Sequence, residues 1–326
     1  MMNYRLHTPE GVKDYLPDEY AVKKQIENNV QGVFEGRGYK AIETPTFEFI
    51  QVLDGMGGVG SERMYKLLDR DGSILALRSD FTPAIARIAA TAYSAEDIPL
   101  RFSYLGNCFR YNASYQGKLR EFTQAGVELI GETGVKADTE ILTAAIDSLL
   151  AAGLSDFRID IGDVTFLQGV LDSAGISAEI TEKIRESIID KNYVEVAKTA
   201  EGLETSGEVK KILSDLPLLI GGIELLERLK GVVGNEKSQK ALSYMHEIYN
   251  ALGEKQKYIS FDFSVIGQMD YYTGLVFRGY ARGTGFSIVD GGRYDNLVGN
   301  FGAEHPAVGF SVNINNLMAA IEAVKE

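Results

Sequence analysis

Three segments carry residues that can do chemistry together. The first runs from Phe109-Arg110 through a polar loop to Arg120-Glu121-Phe122-Thr123-Gln124-Ala125-Gly126-Val127-Glu128. If Phe122 to Leu129 is a strand, its period of two sets Phe122, Gln124, Gly126 and Glu128 on one face. Gln124 and Glu128 then make a polar floor beside a glycine, which leaves room for a ligand. Arg110, on the preceding strand, reaches the same floor. A solvated sheet face with one ion pair has the same pattern, and both readings stay open. The second segment is Asp270-Tyr271-Tyr272-Thr273-Gly274. Adjacent tyrosines at a strand start place one ring on each face, so one can close a pocket while the other packs in the core. The third is Asp290-Gly291-Gly292-Arg293-Tyr294-Asp295. Its glycines permit positive φ or close backbone approach, and Arg293 and Tyr294 can line what they open.

Other patterns point away from chemistry. Gly55-Met56-Gly57-Gly58-Val59-Gly60 matches a dinucleotide fingerprint, but a hairpin follows where a helix must open. A flexible glycine loop fits better. His7, His246 and His305 share no ligand spacing, and Cys108 sits in an apolar-aromatic run that reads as packing. No metal site is expected. No P-loop, G-x-S-x-G elbow or Ser-His-Asp constellation is present.

Bulk properties narrow the classes. The sequence has 326 residues, 45% apolar and 24% charged, with a formal charge of −13. It reads as an ordinary globular chain of about two domains. Nucleic-acid binding draws on Lys and Arg, so an acidic chain lacks the general footprint, and no nucleic-acid partner is expected. A lone cysteine fits a reducing compartment. The N-terminal stretch has charges and prolines where a signal peptide needs an apolar run, and nothing approaches the roughly 18 apolar residues of a span. No membrane partner is expected, and the expected location is the cytoplasm.

The elements that must hold these residues follow from periodicity. A helix is expected from an Asp18 N-cap to Gly36, with Val22, Ile26, Val30, Val33 and Phe34 as its apolar stripe. Tyr39–Glu43 reads as a strand. MYKLLDRDGSILALRSD reads as a hairpin turning at Asp69-Arg70-Asp71-Gly72. A helix over 83–93, strands over 102–111 and 122–130, a helix over 137–152 and a strand over 157–162 follow. From 164 to 255 strand signals vanish and six helical stretches form an all-α insertion domain. Strands resume at 257–264, 272–280 and 285–289. A glycine-rich turn, GGRYDNLVGNFG, then leads to a strand near 307–313 and a last helix. Hairpins outnumber single-helix crossovers, which favours an α+β core with an antiparallel or mixed sheet. The core is 1–163 plus 256–326, interrupted by the helical domain at 164–255.

Taken in order, these segments resemble the class II aminoacyl-tRNA synthetase core, and specifically histidyl-tRNA synthetase. The resemblance rests on Thr8-Pro9-Glu10-Gly11-Val12-Lys13-Asp14-Tyr15-Leu16-Pro17, on Gly38-Tyr39 through Thr44-Pro45, and on Leu77-Arg78-Ser79-Asp80-Phe81-Thr82. It continues through Phe109-Arg110 to Glu128, Met269-Asp270-Tyr271-Tyr272-Thr273-Gly274, and Gly291-Gly292-Arg293-Tyr294-Asp295-Asn296-Leu297. It implies a class II synthetase-like antiparallel sheet flanked by helices. It further implies that Asp80, Thr82 and Gln124 hold an ammonium and that Glu128 and Tyr271 hold an imidazole. Arg110, Tyr272, Arg293 and Tyr294 complete the expected histidine-binding set.

Departures from the family pattern bear on function. The glutamate that seats adenine is Asn112 here, the arginine used at the reacting carboxylate is Gly267, and the closing motif leads into Asn315-Asn316 instead of Glu-Arg. Adenylate formation needs cations at the transferring phosphate, so loss of two arginines implies a site that binds histidine without activating it. The sequence ends one helix later, which implies that the anticodon-binding domain is missing. A synthetase-like chain of this kind resembles the regulatory subunits of short-form ATP phosphoribosyltransferase. That resemblance implies a hetero-octamer with the catalytic subunit, a homodimer through the 30–48 region, L-histidine as feedback effector, no cofactor and no catalysis of its own. The rival readings are a truncated histidine-activating enzyme and a purely structural scaffold.

Overall fold

A computed structural model describes residues 4–54, 59–112, 118–265 and 272–324. The glycine loop at 55–58, Gly267 of the departures, and Tyr271 of the expected site lie outside these described residues.

The N-terminal part comprises α1 (Pro17–Gly36), β1 (Lys40–Ala41), β2 (Phe47–Phe49), α2 (Ile50–Leu53), β3 (Lys66–Leu68), β4 (Ile74–Leu77) and α3 (Thr82–Ala92). Then come β5 (Leu100–Phe109), β6 (Glu121–Ile130), α4 (Gly134–Ala151) and β7 (Phe157–Asp163). The helical block holds α5 (Val164–Ser173), α6 (Ala178–Ile189), α7 (Tyr193–Glu201), α8 (Gly207–Asp215), β8 (Ile220–Gly221), α9 (Ile223–Lys230) and α10 (Glu236–Ala251). The chain closes with β9 (Ile259–Asp262), β10 (Leu275–Ala281), β11 (Val289–Arg293), β12 (Ala307–Asn313) and α11 (Ile314–Ala323).

Nine strands form one sheet in the order β1-β5-β6-β12-β11-β10-β7-β9-β8, and β2-β4-β3 form a small second sheet. Only β1–β5 and β7–β9 pair in parallel; the rest are antiparallel. The sheet is therefore mixed and mainly antiparallel, as the hairpin-rich pattern predicts. Alternation on β6 is real: Ala125, Val127 and Leu129 join one buried cluster with α1 and α4, while Phe122 and Ile130 join another with α3. Both faces are covered, so the solvated-face reading of β6 fails.

Three local expectations change. Helix α1 starts at Pro17 with Leu16 as an uncapped N-cap position. Proline at the first turn needs no N–H partner, and Asp18 and Glu19 sit in that turn, where a carboxylate meets the helix's positive end. Gly291 and Gly292 are not a turn but the interior of β11, paired on both sides. A Cβ on Gly291 would lie 2.5 Å from the Phe277 ring and 2.6 Å from Phe310 Cβ. Their use is close approach, not positive φ. The helical block, finally, is not purely helical. β8 pairs with β9 and adds an edge to the core sheet, and the block's apolar residues share the main core cluster.

Arg293 anchors that block. Its Nε donates to Asp138 Oδ1 at 3.0 Å, its Nη1 to Asp295 Oδ1 at 2.9 Å, and Asp138 also accepts from the Tyr244 hydroxyl of α10 at 2.8 Å. Asp138 is fully buried, and burial raises its pKa against the pull of Arg293. Arg293 is thus a clamp between β11, α4 and α10. Removing one partner of such a pair leaves a charge buried alone. Arg293→Ala is expected to cost about 3–5 kcal/mol in urea unfolding, whereas Arg293→Ala with Asp138→Leu is expected to recover most of that loss.

Candidate functional site

The site is built where β5, β6, β12 and β11 lie side by side. Glu128 is 1% exposed. Its Oε1 accepts from the Thr82 hydroxyl at 2.7 Å, and its Oε2 accepts from the Tyr294 hydroxyl. Thr82 opens α3 and Tyr294 follows β11, so one carboxyl ties two distant segments to β6. The sheet makes space for it with Gly309, directly across on β12, where a Cβ would fall 1.7 Å from Glu128 Oε2. Gly126 plays a different part from the one expected. The space beside it is taken by Tyr104, whose hydroxyl would meet a Cβ there at 2.3 Å. That buried hydroxyl lies near Thr82 and Glu128 and meets no hydrogen-bond partner in good geometry among the described residues.

The electrostatics follow from burial. Desolvation pushes the Glu128 carboxyl up to about 8; bonds from Tyr294 and Thr82 pull it down, and the nearby Asp80 charge adds to the rise. Asp80 is also raised by burial, opposed by Arg110 and by the amides of Phe81 and Thr82. Arg110 Nη2 stands 3.9 Å from Asp80 Oδ2, its Nε donates to Ser79 O at 2.8 Å, and its plane lies over Phe122.

A cleft of about 280 Å³ opens in front of this cluster. Arg110, Gln124 and Tyr272 line it, with Phe277, Ser287, Asp290 and Ser311. Gln124 accepts from Cys108 Sγ at 3.1 Å and donates to Ser311 Oγ at 3.4 Å. The expected residues therefore divide. Arg110, Gln124 and Tyr272 face the cleft. Asp80, Thr82, Glu128 and Tyr294 form the buried cluster behind it. Arg293 belongs to neither: it points to the other side of β11, into the clamp with Asp138.

The expected shortage of positive charge is not what the cleft shows. Among the described residues, Arg63, Arg110, Lys118, Lys191 and Arg278 line it with one lining carboxylate, Asp290, and Asp80 stands behind Arg110. Asn112 accepts from Arg63 Nη2 at 3.2 Å. Asn315 Oδ1 takes the Thr123 N–H at 2.8 Å, and Asn316 Nδ2 donates to Ser287 O at 2.7 Å. Asn315 and Asn316 thus hold backbone groups, while Asn112 holds the Arg63 side chain. Sequence reading missed Tyr104, Arg63, Lys191 and Arg278. Tyr104 had one signal, a bulky residue in register with a glycine. Among the described residues no group of His, Cys, Asp and Glu has a metal-binding arrangement, and no helix is long and apolar enough to cross a membrane.

Comparison with known proteins places this geometry. A family model described as histidyl-tRNA synthetase matches residues 11–317. A relative from Acetivibrio thermocellus named ATP phosphoribosyltransferase regulatory subunit is 42% identical, over 100% of this chain and 78% of that one. A relative of the same name from Clostridium acetobutylicum is 38% identical, over 99% and 80%. A Bacillus halodurans structure described as an ATP phosphoribosyltransferase regulatory subunit/histidyl-tRNA synthetase superposes with a TM-score of 0.89 at 35% identity, over 98% and 84%. A histidine–tRNA ligase subunit from Alicyclobacillus acidocaldarius gives 0.81 at 29%, over 98% of both chains.

The raised Glu128 carboxyl makes a stability prediction. Between the usual carboxylate range and about 8 the folded chain keeps a proton that the unfolded chain has released. Its contribution is full at acid pH and is lost as pH rises through about 8. Asp80 acts in the same direction. Glu128→Gln cannot ionise, so its unfolding free energy is expected to fall less steeply over that window, by up to ~1.4 kcal/mol per pH unit. Parallel pH profiles of wild type and variant would refute the assignment.

Proposed function

This chain belongs to the histidyl-tRNA synthetase family, and within it to the ATP phosphoribosyltransferase regulatory subunits, and on that premise we propose that it binds L-histidine in the cleft and transmits feedback inhibition to a catalytic partner without catalysis of its own. The observation that carries the histidine reading is the buried Glu128 carboxyl, held by Thr82 and Tyr294 directly behind a cleft faced by Gln124, Tyr272 and Arg110. Arg110 suits the ligand's carboxylate. Gln124 and Tyr272 suit its amine and ring edge. A neutral imidazole reaching Glu128 can accept the carboxyl proton on its free ring nitrogen, and the imidazolium so formed stabilises the carboxylate left behind, because a cation at hydrogen-bond distance lowers a raised pKa.

Regulation follows if the ligand binds one arrangement of the assembly better than another; a difference of about 1–3 kcal/mol is typical. The support for a binding role over adenylate formation is the set Asn112, Asn315 and Asn316, whose amides are spent on Arg63 and on backbone groups. The printed name of the relatives implies the catalytic ATP phosphoribosyltransferase subunit as partner; an octamer of the two chains, located in the cytoplasm, extends that reading.

Calorimetry with L-histidine tests the site. Saturable binding is expected, weakened about tenfold or more in Gln124→Ala and Glu128→Ala, the loss of a charge-assisted or buried hydrogen bond. Added to the short-form catalytic subunit, the chain is expected to raise its rate and L-histidine to lower it. Wild-type-like binding in both variants would overturn the pocket, and histidine-dependent ATP–pyrophosphate exchange would overturn the non-catalytic role.

Self-association has its own support. Phe47, Phe49 and Leu67 share one face of the small sheet and are 54%, 53% and 45% exposed. Contiguous apolar surface of this sort marks an interface, and we assign it to a second copy, continuous with the 30–48 region. Phe47→Glu with Leu67→Glu is expected to shift the sedimenting species from dimer to monomer; an unchanged dimer would exclude this face.

A further inference from the structure

We propose that the N-terminal arm, residues 8–16, is a detachable strap that positions Arg110, so that docking of the arm and occupancy of the cleft favour one another; the coupling rests on the histidine reading above. The arm is fastened at two points beside the cleft. The first is Gly11. Its carbonyl accepts the Arg120 N–H at 2.6 Å, and the Arg120 carbonyl accepts the Arg110 N–H at 2.9 Å. Glu10 adds an ion pair, 3.1 Å from its Oε2 to Arg120 Nη2. Arg120 thus joins the arm to Arg110 through its own backbone. Arg110 in turn donates to Ser79 O and faces Asp80. The second point is Tyr15, whose hydroxyl accepts from Asn315 Nδ2 at the start of α11. Asn315 Oδ1 takes the Thr123 N–H of β6 at 2.8 Å. Arg110 and Asn315 both line the cleft, so the arm ties two of its walls together.

Gly11 makes the first fastening possible. Its φ is +80°, and a Cβ there would lie 2.6 Å from Arg120 Cγ. Glycine alone takes that conformation at so close an approach without strain. The rest of the hold is slight. Among residues 5–16 Gly11 is the one buried residue, and Leu6 and Leu16 are exposed. Within the arm, the Val12 N–H bonds Pro9 O at 3.3 Å and the Thr8 hydroxyl bonds Val12 O at 3.3 Å. Lys13 pairs with Glu19 at the surface, a contact of little weight. A segment held by a few polar contacts, with little apolar burial, opens at a small fraction of the global unfolding free energy. The arm therefore lifts while the nine-stranded sheet stays folded. Lifting releases the Arg120 N–H and the Asn315 amide, and with them the settings of Arg110 and of the first turn of α11. A ligand that needs Arg110 in its docked setting binds the docked state better and shifts the population toward it.

The experiment is amide hydrogen exchange on the full chain, read at Arg120, whose N–H the arm covers, with L-histidine calorimetry on the same samples. L-histidine at about ten times its dissociation constant is expected to slow Arg120 exchange by up to about tenfold in the wild type. A merely structural attachment would open equally often with and without it. Gly11→Ala is expected to speed exchange at Arg120 and Arg110 by about tenfold or more. It is also expected to weaken L-histidine binding roughly threefold or more, and to leave the thermal midpoint in place because the arm buries so little. Tyr15→Phe keeps the ring and loses the Asn315 bond, so a smaller change of the same sign is expected, roughly fivefold at Arg120. Wild-type exchange in Gly11→Ala overturns the strap. Faster exchange in that variant with wild-type histidine affinity, or an Arg120 rate unmoved by bound L-histidine, overturns the coupling. Absence of L-histidine binding by the wild type overturns the histidine reading and the coupling with it, and the variants' exchange rates then decide the strap by themselves.

Discussion

One buried carboxyl sets the terms for the site. Glu128 has no water to ionise into, so every neighbour must hydrogen-bond it or stay out of its way. Thr82 and Tyr294 do the first, and the glycine at 309 does the second. These constraints fix the start of α3, the exit of β11 and the register of β12 against β6. They also explain why the groups bonded to this acid are uncharged hydroxyls. A proton, not a counter-ion, balances most of its charge at neutral pH.

Consecutive residues carry this constraint across the sheet. Tyr294 binds Glu128 on one side, and Arg293 binds Asp138 on the other. Asp138 in turn holds Tyr244 of α10. The buried acid of the site and the buried acid that docks the helical block are thus linked by one peptide unit. A shift at Tyr294 moves the attachment of Arg293, since the backbone between them has few free dihedrals. In the proposed regulatory reading, this is the physical connection by which occupancy of the cleft reaches the helical block.

The sequence made β6 legible because its period of two survives in an interior strand, and the face bearing Gln124 and Glu128 was read correctly. It misled at Gly291-Gly292. Paired glycines signal either a turn or tight packing, and only the neighbours Phe277 and Phe310 decide. Arg293 was placed in the cleft for a related reason: adjacency to Tyr294 says nothing about sides when a strand alternates. The β3–β4 hairpin of the small sheet and the helices of the insertion were readable from turns and apolar spacing, whereas its third strand, the three-residue β2, was not. The two-residue β8 was not, because so short a strand carries no period.

The cleft's charge was the deepest miss, and its cause bears on function. Counting two lost arginines treats a potential as a property of motif positions, whereas it is a sum over every lining side chain. Arg63, Lys191 and Arg278 come from three segments that no motif spans. Restored charge does not by itself restore chemistry. Cations accelerate phosphoryl or adenylyl transfer only when they hold the transition state more tightly than the ground state. Here Arg278 is committed to Asp290, and the asparagines at the family's nucleotide positions are committed to Arg63 and to backbone groups. In the proposed reading, a cleft with charge to spare and its amides already spent holds the carboxylate of its ligand in the resting form. That is the requirement for an effector site, and it reconciles a positive cleft with a regulatory chain.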